Sequence, residues 1–515
     1  MNNDTPSRAL PLKEVTSNGM HSSSEKREDP EDARLPTATS NDAPVDSEGS
    51  EDPYLVTWRG ADDPDNPKNW PRNRKWKNTC AVSLFVFISP VSSSMIAPAL
   101  QDVGESLGMH SRIEVYLSLA IFILAYAVGP VFFGPASELY GRMRLLQVSN
   151  IWYLAWNLGC GFATTKSQFF AFRFLAGIGG SAPLAIGGGA ISDMWTADER
   201  GKAMGLYTLG PILGPVVGPI AGGFITQYST WRWVFWSTSA AALGIQAIGL
   251  VWLYESHPAT LLRHRRNRLV KETGNKALHT GVQPNTLVHT LVTAFKRPLK
   301  LFFTQPIVAC MAIYMAYLFG TTYLLFATFP DVWTVVYHEE SGIGGLNYLS
   351  IAIGSFLGLI FNLKLINPIY GKLKARNSDI GRPEFRMPSI ATGSILTTIG
   401  LFWYGWSIGH VHWIMPNIGA AIYSGGTISC LQGIQMYIVD SYQTYAASAL
   451  AACAILRSLA GFGFPLFAPY MYSALGYGWG TSVLGFVSIG FGWMAPVIIW
   501  FYGPKLRAIS RYAAD

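Results

Sequence analysis

Apolar residues along this chain gather in long blocks separated by short charged punctuation, and the block lengths set the elements to expect. A helix crosses the roughly 30 Å hydrocarbon layer with about 20 apolar residues. Asn78 to Leu100, Val115 to Ser137 and Leu145 to Thr165 hold no Asp, Glu, Lys or Arg, and Ser167 to Ser192 holds only Arg173. Ala203 to Trp231 and Trp233 to Tyr254 follow, then Leu301 to Pro330, Ser341 to Leu363, Met387 to Gly409 and Trp413 to Val439. Ser441 to Pro504 carries one charge, Arg457, and is long enough for two spans with a turn near Gly476 to Gly480. The pattern predicts an all-α integral membrane protein of twelve transmembrane helices, six plus six.

The charges left between the blocks orient them, because short cytoplasmic loops collect Lys and Arg. With the amino terminus inside, the inner loops gather Arg72, Arg74, Lys75 and Lys77, then Arg142 and Arg144, Arg200 and Lys202, and the basic residues of 255–300 and 364–386. The outer loops hold only Arg112, Lys166 and Arg232. Both termini are expected to be cytoplasmic. The expected organisation is a disordered tail over 1–53, a pre-helix segment over 54–77, a six-helix bundle over 78–254, a basic linker over 255–300 that suits anionic lipid, a second bundle over 301–504 and a cytoplasmic end over 505–515.

Composition adds exclusions. Only 13% of the 515 residues are charged, against about 25% in soluble domains, so a water-soluble enzyme is disfavoured. The excess of 38 Lys and Arg over 31 Asp and Glu lies in loops, which points away from a nucleic-acid partner. The five cysteines stand singly, with neither a disulfide framework nor a metal-ligand spacing. No G-x-x-x-x-G-K-[ST] phosphate loop occurs, so an ion gradient is the expected power source, and no cofactor or enzymatic nucleophile is indicated.

Three motifs carry chemistry. Gly134-Pro-Ala-Ser-Glu138-Leu-Tyr-Gly141-Arg142-Met-Arg144 joins spans 2 and 3, where glycine permits reversal and Arg142 can hold helix ends or their carbonyls. An ordinary basic turn is the alternative. Span 5 repeats a Gly-Pro pair every four residues, Gly210-Pro211, Gly214-Pro215 and Gly218-Pro219, then Gly222. Bare backbone on that face lets another helix approach, and each proline frees a carbonyl; generic packing does not explain three prolines in register. Arg173 and Arg457 lie inside spans, where a cation faces a cavity or partner rather than lipid.

The loop motif resembles that of the major facilitator superfamily, with Glu138 in place of Asp and the second basic residue displaced to Arg144. The span 5 run resembles the fifth-helix motif of that superfamily's exporters, and Arg173 matches the fourth-helix arginine of its proton-driven members, where the resemblance implies a role in proton transfer. A structural or snorkelling arginine is the alternative. With Asp62-Asp-Pro-Asp-Asn-Pro-Lys-Asn-Trp-Pro71 before span 1 and Glu255-Ser-His-Pro258 after span 6, the chain looks like the twelve-span fungal drug/proton antiporters, which export drugs, polyamines and toxins. The resemblance covers the chain from about residue 54.

It implies alternating access about a central site at the cell membrane, with small-molecule substrate, protons and the lipid bilayer as partners and a monomer as the working unit. No Asp or Glu occupies the middle of a span. The proton-coupling candidates are Arg173, Arg457, Asp193 and Asp440, with Asp193 expected to work with Arg142 and Arg200. Two buried arginines disfavour polyvalent cations such as polyamines and suit neutral or weakly acidic amphiphiles. Tyr126, Asn150, Trp156, Tyr314, Tyr317, Tyr323, Gln432, Gln435 and Tyr437 are the cavity candidates, with packing or lipid contact as the alternative for each. An importer of the same fold and a sensor that has lost transport are the rival readings.

Overall fold

The computed structural model describes residues 52–196, 198–281, 287–510 and 512, so the expectation for the amino-terminal tail lies almost wholly outside the described residues. These residues form helices and no strand; an isolated parallel bridge pairs Leu55 with His279. Helices α1 Arg72–Ser94, α2 Arg112–Tyr140, α3 Arg142–Phe162, α4 Lys166–Met194, α5 Arg200–Tyr228 and α6 Arg232–Trp252 make up the first half. Two further helices, α7 Pro258–Thr273 and α8 Leu287–Thr304, occupy the segment read as a linker. The second half contains α9 Pro306–Asp331, α10 Tyr348–Phe361, α11 Met387–Ser407, α12 Ile414–Ser441, α13 Ala446–Ser488 and α14 Met494–Ile509.

Polar side chains and glycines set the helix ends. Ser111 and Thr165 cap α2 and α4 by accepting the backbone N–H of Ile113 and Gln168. Gly141, at φ 96°, ends α2 and starts α3 in one residue. Pro258 occupies the first turn of α7 and Gly274, in the left-handed region, closes it.

Eight helical segments among the described residues are long and apolar enough to cross a membrane, among them Arg72–Ser106, Pro306–Val336 and Ser341–Arg376, which add short flanking turns to α1, α9 and α10. One of the eight, Gln443–Ile509, has 67 residues, roughly 100 Å of helix at 1.5 Å per residue, and breaks at Gly476 where φ is 72°. Helices α3, α11 and α12 fall outside the eight. They carry side-chain hydroxyls and amides, and the buried amides on α3 are hydrogen-bonded inside the protein. Asn157, fully buried, receives Ser92 at 3.1 Å and donates to the Phe235 carbonyl, Thr238 and Ser239 at 3.1, 2.9 and 2.9 Å, tying α3 to α1 and α6.

Both described chain ends lie at one end of the helices, here the terminal end; the other is the distal end. Polar contacts that join the two halves gather distally. The Tyr116 hydroxyl donates to Asp331 at 2.6 Å, Gln227 donates to Glu340 at 2.5 Å, and the Gly342 N–H donates to Gln227 at 3.0 Å. Deeper in, the Ser93 and Tyr323 hydroxyls stand 3.5 Å apart.

Candidate functional site

At the terminal end, the α2–α3 turn is the hub of a set of ionic contacts. A Cβ on Gly141 would collide with the Glu255 carboxylate, so the glycine is required twice, for its positive φ and for this approach. Glu255 accepts the backbone N–H groups of Arg142 and Met143 at 3.1 and 3.3 Å, and of His257 at 2.9 Å. Its charge thereby sits at the amino end of α3, where the helix dipole favours an anion. The Arg142 side chain pairs with Asp193 at the end of α4, and Arg263 on α7 donates to the Leu139 carbonyl at 2.6 Å. His257, half-buried beside Arg142 and Arg263, has its pKa pushed down to about 4, first by burial and then by the two cations. Glu138 is exposed, nothing crowds Gly134, and the Nε of Arg200 has no hydrogen-bond partner. The structure therefore joins Asp193 to Arg142 and leaves Arg200 aside.

The second half repeats the pairing. Arg386, preceding α11, bonds Asp440 near the end of α12 at 2.9 Å and stacks 4.0 Å over Tyr370. Arg386 is thus the residue of the second half that answers the Arg142 contact. Both braces stay within their own half, unlike the distal contacts.

The Gly-Pro face of α5 lies on α1. A Cβ on Gly210 would stand 3.2 Å from the Phe87 nitrogen, on Gly214 2.7 Å from Pro90, on Gly218 2.5 Å from the Val91 carbonyl, and on Gly222 it would meet the Met95 carbonyl. The neighbouring face meets the second half: a Cβ on Gly345 would stand 3.0 Å from the carbonyl of Pro219. Pro211 and Pro215 are partly buried and Pro219 is buried. The α5 helix is thus the element that touches both α1 and the start of the segment leading into α10.

The two intramembrane arginines differ. Arg173 is 0% exposed; it donates to the carbonyls of Ser118 at 3.1 Å and Ser92 at 3.3 Å, and lies over Phe122 and Phe235 at 4.6 and 5.6 Å. It ties α4 to α1 and α2. Arg457 on α13 is partly open, sits 5.1 Å over Phe319, and has a buried Nε without a partner.

The aromatic and amide candidates scatter. Tyr126 bonds Ser89 at 2.6 Å, and Tyr323 lies near the same level across the halves. Asn150 is consumed between α3 and α6 by Gln246 at 2.8 Å and the Ala242 carbonyl at 3.3 Å. Trp156 packs with Trp152 and Phe172. Tyr314 stacks on Tyr317, which donates to the Leu484 carbonyl at 2.6 Å. Gln432 is half-buried, Gln435 exposed and Tyr437 buried with an unpartnered hydroxyl. Sequence reasoning misses Tyr116 with Asp331, Glu255 as the partner of the α3 amino end, and Tyr207, whose hydroxyl reaches the Leu184 carbonyl at 3.2 Å. Asp331 had a signal, an acid at the end of an otherwise uncharged span; the others join residues far apart in the chain.

Helices of this length and apolarity around a middle of bonded hydroxyls, amides and arginines define a multi-pass membrane protein. The chain belongs to the Major Facilitator Superfamily, whose sequence profile matches residues 82–465. It is 73% identical to the efflux pump vrtL of Penicillium aethiopicum over 93% of this chain and 95% of that one. It is 41% identical to the MFS transporter cpaT of Aspergillus oryzae over 89% and 92%. The inward open xylose transporter XylE from E. coli shares the fold, with a TM-score of 0.61 at 14% identity over 83% of this chain and 95% of that one.

Proposed function

We propose that the protein is a proton-coupled exporter of a small amphiphilic toxic compound, a drug or fungal secondary metabolite, working by alternating access at the cell membrane. The observation that carries this reading is the 73% identity to an efflux pump across nearly the whole of both chains, and the Gly-Pro face of α5 supports the same direction. Twelve crossings with both termini cytoplasmic, acting as a monomer, complete the proposal. The distal contacts Tyr116–Asp331 and Gln227–Glu340 then hold the outer side shut while solute enters from the cytoplasm. Opening outward requires them to part as the halves rock at the contact between α5 and the segment leading into α10. Arg142 with Asp193, and Arg386 with Asp440, are the inner charge pairs through which protonation would alter helix-end packing, with Arg173 as a rigid tie roughly 30 Å further along α4.

The test is accumulation of a labelled antifungal or secondary metabolite in cells with and without the protein, before and after the proton gradient is collapsed. Export lowers accumulation only while the gradient stands. Raised accumulation means import, and no change under either condition means a protein that does not transport the compound.

A further inference from the structure

We propose that Arg457 is the anion-recognising residue of the solute path, and that the compound carried is an aromatic acid whose phenolate, enolate or carboxylate rests against its guanidinium. The inference rests on the transporter reading above and names its substrate class. Arg457 on α13 lies 5.1 Å over Phe319 of α9, and one turn further along α13 a Cβ on Gly461 would stand 3.0 Å from Ile123 of α2. This stretch of α13 thus packs against both halves. Among the described residues no ion pair involves Arg457. A desolvated cation without a counter-charge is costly unless an anion arrives to pair with it.

Arg173 has the same side chain but not the same freedom. Two backbone carbonyls and two rings hold it, and although one of its terminal nitrogens has no partner, it is closed to solvent. Arg457 has one ring beneath it, an unpartnered Nε, and partial exposure. A planar guanidinium offers paired donors matched to a carboxylate or enolate. Beside it, the Phe319 and Tyr323 rings lie 4.9 Å apart and supply an aromatic surface for the body of the solute. A cationic amphiphile would meet the guanidinium charge with nothing to offset it.

The experiment uses the full-length protein in nanodiscs and two dyes that share a xanthene ring system: fluorescein, an anion near neutral pH, and rhodamine 6G, a cation. Anisotropy titration is expected to give fluorescein about ten-fold or more the tighter binding, as one charge-assisted pair supplies. Arg457→Gln is expected to lower fluorescein affinity about ten-fold and leave rhodamine 6G unchanged or tighter, and Arg457→Lys to fall between. Thermal melting checks that each variant is folded; if the Gln variant is not, the wild-type preference and the Lys variant decide. Rhodamine 6G bound as well as fluorescein, neither dye bound, or both weakened equally overturns the proposal. Failure of the export reading looks different: fluorescein would bind selectively, yet proteoliposomes would not move it when a proton gradient is imposed.

Discussion

His257 shows how much the terminal-end hub asks of one side chain. Its backbone N–H is bonded to Glu255, its ring stands 3.0 Å from Thr260, and burial beside Arg142 and Arg263 holds its pKa near 4. The unfolded ring titrates near 6.5, so between those two values the unfolded chain binds a proton that the folded chain refuses. Stability from this group is therefore complete above pH 6.5 and falls as pH drops from 6.5 towards 4. Melting temperatures measured across that window should decline in the wild type, and His257→Asn should remove part of the decline. The sequence signalled the hub's arginine and glycines, because Gly141 and Arg142 belong to a recognisable turn. It could not signal Glu255, which closes on that turn from the far side of four intervening helices.

Among elements, α5 makes the most specific demand. Its glycine row was legible as a face for close packing, but not the helix it packs on, because small residues advertise an approach without naming the partner. The partner is α1, and the fit leaves no room for a methyl group at Gly222, where a Cβ would meet the Met95 carbonyl. Gly222→Ala should destabilise the protein by about 1–3 kcal/mol, the usual cost of overpacking. On the same helix, a Cβ on Gly205 meets nothing within 4 Å, so Gly205→Ala should be neutral or stabilising by up to about 1 kcal/mol. Thermal denaturation of the two purified variants compares them directly, and equal losses would remove α1 as the explanation. The linker is the opposite case, where periodicity was present and passed over. Val292, Phe295, Leu299 and Phe303 are exposed along one side of α8 at helical spacing, while Lys296, Arg297 and Lys300 interrupt the run. Counting stretches between charges finds spans and overlooks an amphipathic helix of this kind.

Across the whole molecule, polar contacts join the two halves at the distal end, and in the proposed cycle they are the latch. Tyr116 and Asp331 come from α2 and α9, and their 2.6 Å bond is a charge-assisted one in a partly dry setting. Removing it with Tyr116→Phe should cost the distal-closed state about 1.5–3 kcal/mol and shift the population towards distal opening. A cysteine placed at Thr328, which lines the distal cavity with Tyr116 and Asp331, reports the shift. Its reaction with a membrane-impermeant maleimide applied to intact cells should quicken about ten-fold to a hundred-fold in the variant. An unchanged rate would mean that the Gln227 contacts suffice. The long apolar helices were readable from charge spacing because the bilayer imposes one length on every crossing. The state of the latch was not, since it depends on two side chains meeting from helices far apart in the chain.

The distal connections deserve one practical conclusion. They are brief, running over 107–111, 163–165, 229–231, 337–340 and 408–413, and the last reversal is made at Gly476. Of the three basic residues there, Lys166 pairs with Glu114 at 2.6 Å, Arg232 bonds the Ala163 carbonyl at 3.3 Å, and Arg112, though exposed, already belongs to the first turn of α2. Trypsin added to intact cells should therefore leave the polypeptide uncut, as immunoblotting of the full-length band would reveal. An antibody, likewise, would find scarcely any epitope on that side, so surface detection requires a grafted tag rather than a native loop.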